Sequence, residues 1–315
     1  MIDVATFGET MAALRALDPI RLGGATRLSV AGAESNVAIG LARLGHRVRW
    51  TGLVGADETG ELVVRTLRAE AVDVTYCRVD RRGPTGLILF ERRVGELTRV
   101  IYHRAGSAAS FLTPADVLPA LGPPPRILHV TGITPALGPG PAEAVEAAVT
   151  AAASAGTAVS LDVNYRSALW DRPRAARALR PLVPRLSVVV ASEDELELVA
   201  PASATTEADR VAALLEAGVA EVVIKRGADG GTVHTTAATV RSPARQVPVA
   251  DPVGAGDAFV AGYLSGLLDG LDPAARLGRA VTTGAFAVAS SGDWEGLPTR
   301  DELSLLDSLP GTTLR

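Results

Sequence analysis

Between residues 126 and 225, short β-branched runs alternate with longer stretches of helical spacing. Residues 127–131, 158–162, 187–190 and 221–225 read as strands, and 141–155, 172–182, 193–199 and 209–217 as helices. A strand, a crossover helix and a further strand are solved in space by a parallel sheet with covering helices. The expected fold class is therefore α/β, a doubly wound, mostly parallel sheet with helices on both faces. Residues 2–8 extend the pattern as a buried first strand, 35–44 as a helix closed by Gly45, 48–54 as a strand and 58–69 as a helix. The last third is mostly helical, with a short strand pair around 232–240.

Two segments break the alternation. From Val74 to Tyr102 the pattern is short and β-rich, with strands at 86–90 and 98–103 around a turn at Val94-Gly95-Glu96. Residues 15–30 have a similar strand-prone character. No internal repeat is present, and the linker-like stretches 122–125 and 138–141 are too short to separate domains. We expect a single α/β domain over residues 1–315, with a small β layer from about 10–30 and 75–104 over one edge of the sheet. Ligands in such sheets bind outside the carboxyl ends of the strands, so a β layer there acts as a lid.

The chain is 47% hydrophobic, a composition suited to a packed core, and its net charge is −4 with no long basic run, which argues against a nucleic-acid partner. Cys77 is the single cysteine, so neither an intrachain disulfide nor a multi-Cys metal site can form. The four histidines make no ligand spacing. No apolar run is long enough for a bilayer, and the first residues lack a signal-peptide pattern. The expectation is a cytoplasmic protein without membrane contact.

Chemistry concentrates at Asp251-Pro252-Val253-Gly254-Ala255-Gly256-Asp257, ahead of a helix expected over 258–268. Free N–H groups and a partial positive charge make a helix start an anion site, and glycines allow a phosphate to approach the backbone. A carboxylate beside it can take a proton from an attacking hydroxyl. Gly254, Ala255, Gly256 and Asp257 thus read as an anion hole plus a base; a Gly-rich turn with Asp257 as helix cap is the plainer alternative.

Other motifs follow strands or open helices, where this sheet class places ligands. Gly32-Ala33-Glu34-Ser35-Asn36 offers close backbone approach and an amide for hydroxyls, or a turn and cap. Asp162-Val163-Asn164-Tyr165-Arg166 offers a guanidinium for an anion, or a surface salt bridge. Glu195 could orient magnesium, directly or through water; acidic residues in a first helical turn also serve the helix dipole. Lys225-Arg226-Gly227 with Gly230 suits a nucleotide or a turn. Asp293 could bond a hydroxyl and Trp294 shield the site. Tyr102 and Arg104 lie on the expected lid, and His103 reads as a packing residue. There is no Walker-type loop, and Gly254-Ala255-Gly256 lacks the third glycine of a dinucleotide fingerprint.

Together the motifs resemble the ribokinase-like carbohydrate kinases, the PfkB family. Gly32-x-x-x-Asn36-x-Ala38 ending at Leu44-Gly45, and Asp251-Pro252-x-Gly254-Ala255-Gly256-Asp257, match its two signatures. Val54-Gly55-Ala56-Asp57-x-x-Gly60 and Lys225-x-Gly227-x-x-Gly230 fit as well, so the likeness spans nearly the whole chain in order. Within the family the chain is most similar to 2-keto-3-deoxygluconate kinases, through Tyr102-x-Arg104, residues 132–137, residues 162–166 with Leu169-Trp170, and Gly292-Asp293-x-Glu295-Gly296.

The resemblance implies phosphorylation of a primary hydroxyl of that sugar acid. Asp257 would be the base, and the amides of 254–257 the anion hole. Gly32, Ala33, Asn36, Tyr102, Arg104, Arg166 and Asp293 would hold the sugar acid, Arg104 and Arg166 countering its carboxylate. Lys225, Gly227 and Gly230 would line the nucleotide site, with Asn164 near the phosphates and Glu195 helping to hold magnesium. The implied cofactors are ATP and Mg²⁺, with a monovalent cation as an optional third, and the implied assembly is a homo-oligomer joined through the lid sheet. The departures are Ser192 for asparagine, Ile88 for a lid tyrosine, Val281 for an asparagine at the nucleotide, and Ala31 for the first glycine of a pair. Ile88 keeps a neutral-sugar kinase (fructose or ribose) open as an alternative; a non-catalytic sugar- or nucleotide-binding regulator is a second.

Overall fold

Val188-Val189-Val190 is β-branched throughout and fully buried, so both of its faces meet protein and it can only be a central strand. The computed structural model, which describes residues 1–16, 18–94 and 97–307, places it in the middle of a large twisted sheet. The chain begins with β1 (Val4–Phe7), β2 (Met11–Ala16), β3 (Thr26–Ala31), α1 (Ala33–Arg43), β4 (Val48–Thr51) and β5 (Leu53–Gly55). It continues with α2 (Glu58–Ala69), β6 (Arg78–Asp80), β7 (Leu87–Val94), β8 (Leu97–His103), α3 (Pro114–Val117), β9 (Ile127–Thr131), α4 (Pro139–Ser154), β10 (Ala158–Asp162) and α5 (Arg172–Leu179). It ends with β11 (Val188–Ser192), α6 (Glu207–Glu216), β12 (Glu221–Lys225), β13 (Gly231–His234), β14 (Thr239–Ser242), α7 (Ala255–Leu268) and α8 (Pro273–Val288).

Among the described residues the main sheet runs β14-β13-β12-β11-β10-β9-β1-β4, parallel from β12 to β4 and antiparallel only at the β13 and β14 edge. One core lies between this sheet and α4, α5 and α6, and a second between its other face and α1, α2, α7 and α8. A separate sheet, β3-β2-β7-β8, carries a small apolar cluster of Met11, Ala13, Ala31, Ile88 and Phe90, against which Val253 packs.

Several boundaries differ from the sequence reading, each for a local reason. The strand expected over 48–54 is two strands, because the chain changes partner at Gly52: β4 pairs with β1 in the main sheet and β5 with β6 outside it. The helix expected over 172–182 stops at Leu179, since Pro181 and Pro184 lack the N–H to continue it, and a 3₁₀ segment follows. Instead of a helix over 193–199 there is a short 3₁₀ turn, Leu196–Leu198; the Glu195 carboxylate folds back to accept from the Ser192 N–H at 2.8 Å. Helix α7 begins at Ala255 rather than Ala258, because Gly254 takes the left-handed conformation (φ +78°) and starts it earlier. Of the expected lid turn, Gly95 and Glu96 lie outside the described residues.

Candidate active site

A cavity of about 460 Å³ opens where the β3-β2-β7-β8 sheet, the expected lid, faces the carboxyl ends of the parallel strands. Glu9 follows β1, Ile133 follows β9, Asn164 follows β10, Glu195 follows β11 and Lys225 ends β12; all of them line it. This is the ligand edge of an open parallel sheet. Gly32, Ala33, Asn36, Tyr102, Arg104, Arg166, Gly254, Gly256, Asp257 and Asp293 line it as well. Ala255, Gly227 and Gly230 do not; they line a second cavity of about 390 Å³ with Phe259, Val281, Gly284 and Val288. The two cavities share Lys225, Pro252 and Gly256.

At this junction the chain leaves backbone donors unspent. Gly254 starts α7 without a side-chain cap, so the N–H groups of Gly256 and Asp257 have no hydrogen-bond partner among the described residues. Asp257 lies inside the first turn and does not cap the helix, which removes the plainer reading of this motif. A side chain on Gly254 would meet the Asp293 carbonyl at 2.1 Å, whereas one on Gly256 would meet only the Lys225 ammonium, at 3.8 Å. The backbone at Gly256 is thus open to a ligand of phosphate size.

The Asp257 carboxylate is nearly buried, at 9% exposure, and accepts from Asn36 Nδ2 at 2.8 Å and Asn164 Nδ2 at 3.4 Å. Burial pushes its pKa up to about 6; the Asn36 bond and the charges of Arg166 and Lys225 oppose this, and Asp162 adds to it. A buried carboxylate with a pKa near the working pH suits proton acceptance from a hydroxyl. Asn164 has φ +40°, one of two non-glycine residues among those described with positive φ, so the loop after β10 holds strain where it meets Asp257.

The Lys225 ammonium is held by both oxygens of Asp162, at 2.7 and 2.8 Å. Burial opposes its charge, but Asp162, Glu195 and Asp257 outweigh this and its pKa is raised. Both Glu195 oxygens are occupied, one by the Tyr165 N–H at 2.7 Å and one by the Ser192 N–H. No group of three or more His, Cys, Asp or Glu among the described residues could hold a metal by itself.

Arg104 lines the cavity and is also ion-paired. It donates to buried Glu9 at 2.7 Å, and Ser107 donates to the same carboxylate, so the charge of Arg104 is already neutralised. Arg166 has no carboxylate partner among the described residues; it donates to the Tyr165 carbonyl at 3.2 Å, so it forms no surface salt bridge. His103 is exposed and does not pack. Trp294 lies away from the cavity, its indole donating to the Val30 carbonyl at 3.0 Å.

Three residues at or beside the site escaped the sequence reading. Glu9 is one. Glu34 is fully buried, accepts from Thr131 and Thr134 at 2.7 and 2.6 Å, and leaves Oε2 without a partner among the described residues; burial raises its pKa. Its signal was its place inside the Gly32–Asn36 motif. Arg15, the third, bonds Asp251 at 2.7 Å and also Asp293. Its signal was a lone charge in the small apolar run Met11–Ala16. Burial raises the pKa of Asp293 to about 7, with Arg15 opposing and Asp257 adding to the rise.

The chain is similar to proteins of known name and structure over nearly its whole length. A 2-dehydro-3-deoxygluconokinase of Bacillus subtilis (strain 168) is 36% identical, over 96% of this chain and 94% of that protein. A 2-dehydro-3-deoxygluconokinase of Thermoproteus tenax is also 36% identical, over 98% of this chain and 95% of that protein. The solved structure of a putative ribokinase II from E. coli in complex with ATP and Mg²⁺ superposes with a TM-score of 0.91 at 26% identity, covering 98% of this chain and 99% of that one. The pfkB family carbohydrate kinase profile matches residues 1–300, and the chain belongs to that family.

Proposed function

We propose that this protein transfers the γ-phosphoryl group of ATP to the primary 6-hydroxyl of 2-keto-3-deoxygluconate, the single domain and its lid acting as one unit. The observation that carries this reading is the junction of two cavities at Gly256, with a polar pocket and Asp257 on one side and an apolar, glycine-edged cleft on the other. Two relatives named for this activity support the choice of sugar acid.

The sugar acid would lie in the lid-side cavity, with Gly32, Ala33, Asn36, Tyr102 and Asp293 around its hydroxyls. Arg166, which has no carboxylate partner among the described residues, would meet its carboxylate; Arg104 would act chiefly through Glu9. Asp257 would accept the hydroxyl proton as attack proceeds, and the N–H groups at Gly254, Gly256 and Asp257 would stabilise charge on the transferred group. Lys225, Gly227 and Gly230 would line the nucleotide side, Val281 making apolar rather than hydrogen-bonded contact. ATP with Mg²⁺ supplies the phosphoryl group and neutralises phosphate charge. Because the Glu195 oxygens are taken by backbone donors, it would act on the ion through water, with Asn164 near the phosphates. A monovalent cation remains an optional addition. The lid sheet ends in strands β3 and β8, and Leu28 on β3 is 52% exposed. A homo-oligomer through this edge belongs to the proposal, as does a cytoplasmic location.

The test is ADP release with Mg-ATP against 2-keto-3-deoxygluconate, 2-keto-3-deoxygalactonate, gluconate, fructose and ribose. Strong preference for a keto-deoxy acid is expected. Preference for fructose or ribose would overturn the substrate and leave Asp257 in place. Ligand-induced stabilisation without ADP would make the protein a binding module.

A further inference from the structure

Arg15 stands on lid strand β2 and ends in the catalytic loop region. Its guanidinium bonds Asp251 Oδ2 at 2.7 Å and Asp293, and lies 4.0 Å from the centre of the Phe90 ring on lid strand β7. Both carboxylates are buried, and the arginine side chain is 11% exposed. Each carboxylate belongs to a segment that shapes the phosphate site. Asp251 Oδ1 accepts from the Val253 N–H at 3.1 Å, fixing the turn that leads into Gly254. The Asp293 carbonyl is the atom that a side chain at Gly254 would strike. Val253 in turn packs on the lid cluster of Met11, Ile88 and Phe90.

We propose that Arg15 is a positioning residue: lid docking places its guanidinium between Asp251 and Asp293, and so joins the Gly254–Asp257 loop to the sugar-side wall. The proposal rests on the phosphoryl-transfer reading of that loop. A lid without this cation would leave two buried carboxylates facing each other, an arrangement strongly disfavoured in a low dielectric. Docking and site assembly are therefore one event. A planar fork is needed, since an ammonium meets only one of the two partners well. The charged groups facing Asp293 are Arg15 from β2, Asp257 from α7, Glu295 of its own loop, and Asp251 across the shared guanidinium. Arg15 is the one cation among them, and it opposes the raised pKa of Asp293.

The experiment compares wild type with Arg15→Met and Arg15→Lys, on whichever sugar the wild type phosphorylates. Arg15→Met is expected to lose about 10–100-fold in kcat/KM, mainly in kcat. Its pH profile should depart from that of the wild type, because Asp293 loses the cation that opposes its raised pKa and stays protonated to higher pH beside Asp257. Backbone amides of residues 253–257 should exchange about tenfold faster. Arg15→Lys, which keeps the charge and the fold, should lose about 3–10-fold and keep the wild-type pH profile. A wild-type pH profile and wild-type exchange in Arg15→Met would overturn the proposal, even with activity reduced; if that variant does not fold, wild-type rates and exchange in Arg15→Lys would do so. If the wild type uses a neutral sugar, the substrate assignment fails and the Arg15 comparison still stands; if it releases no ADP with any sugar, the transfer reading fails, and exchange alone then tests the lid coupling.

Discussion

Lys225 and Gly256 belong to both cavities, and the walls on either side of them differ in kind. Towards the lid, Glu9, Glu34, Asp257 and Asp293 are buried carboxylates, each held by an internal donor or arginine. Away from the lid, Phe259, Val281 and Val288 present apolar surface, and Gly227, Gly230 and Gly284 bare backbone. On the proposed sugar side, Glu9 and Asp293 are ion-paired while Glu34 and Asp257 are held by neutral donors, so changing one group disturbs its neighbours. The proposed nucleotide side would work through shape and backbone, and would tolerate small side-chain changes.

The largest expected effect separates the two halves outright. Asp257→Asn should lower kcat by about 10²–10⁴ while ATP affinity, measured by calorimetry, stays near wild type. The same variant should be more stable than wild type at pH 8. The folded-state pKa of Asp257 is raised above 3.8 to about 6, so its favourable contribution is present below the unfolded value and lost as pH rises through about 6. Removing the charge should return about 1–3 kcal/mol, read as a higher Tm. Equal or lower stability in Asp257→Asn would mean that the carboxylate is not strained by burial.

Gly254→Ala touches both halves through the backbone. A Cβ there meets the Asp293 carbonyl at 2.1 Å in a left-handed conformation, so kcat should fall by about 10–100-fold with weakened ATP binding. Unchanged kinetics would show that the loop can be rebuilt without cost. Arg166→Leu should act on the sugar side alone, raising KM for a sugar acid by about tenfold or more and for a neutral sugar much less. Equal shifts for the two sugars would remove carboxylate recognition from Arg166. The smallest effect is expected at Val281→Leu, which adds one methylene to the apolar cleft and should change KM for ATP by about threefold or less. A large change there would mean that the nucleotide side is more exacting than its apolar wall suggests.

The same division explains what could be read in the sequence. Strands β9, β10 and β12 have the expected boundaries, because burial on both faces forces long apolar, β-branched runs that local pattern reveals. The motif at 251–257 was legible because its glycines serve a backbone conformation, and that requirement is local. The start of α7 was missed by three residues because only the φ of Gly254 decides it. The charge pairs of the sugar side were invisible, since Arg15 meets Asp251 and Asp293 across 236 and 278 residues of chain. The Glu9 partner of Arg104 was invisible for the same reason, since it lies 95 residues earlier in the chain.

The most direct test of the account is the pH dependence of kcat/KM in the wild type beside Asp257→Asn, with saturating Mg-ATP. If Asp257 is the buried base, the wild-type rate rises with pH through a limb centred at about 6, and the residual rate of Asp257→Asn is low throughout. A wild-type profile that is flat from about pH 5 to 8, or an Asp257→Asn variant with near-normal turnover, would contradict it.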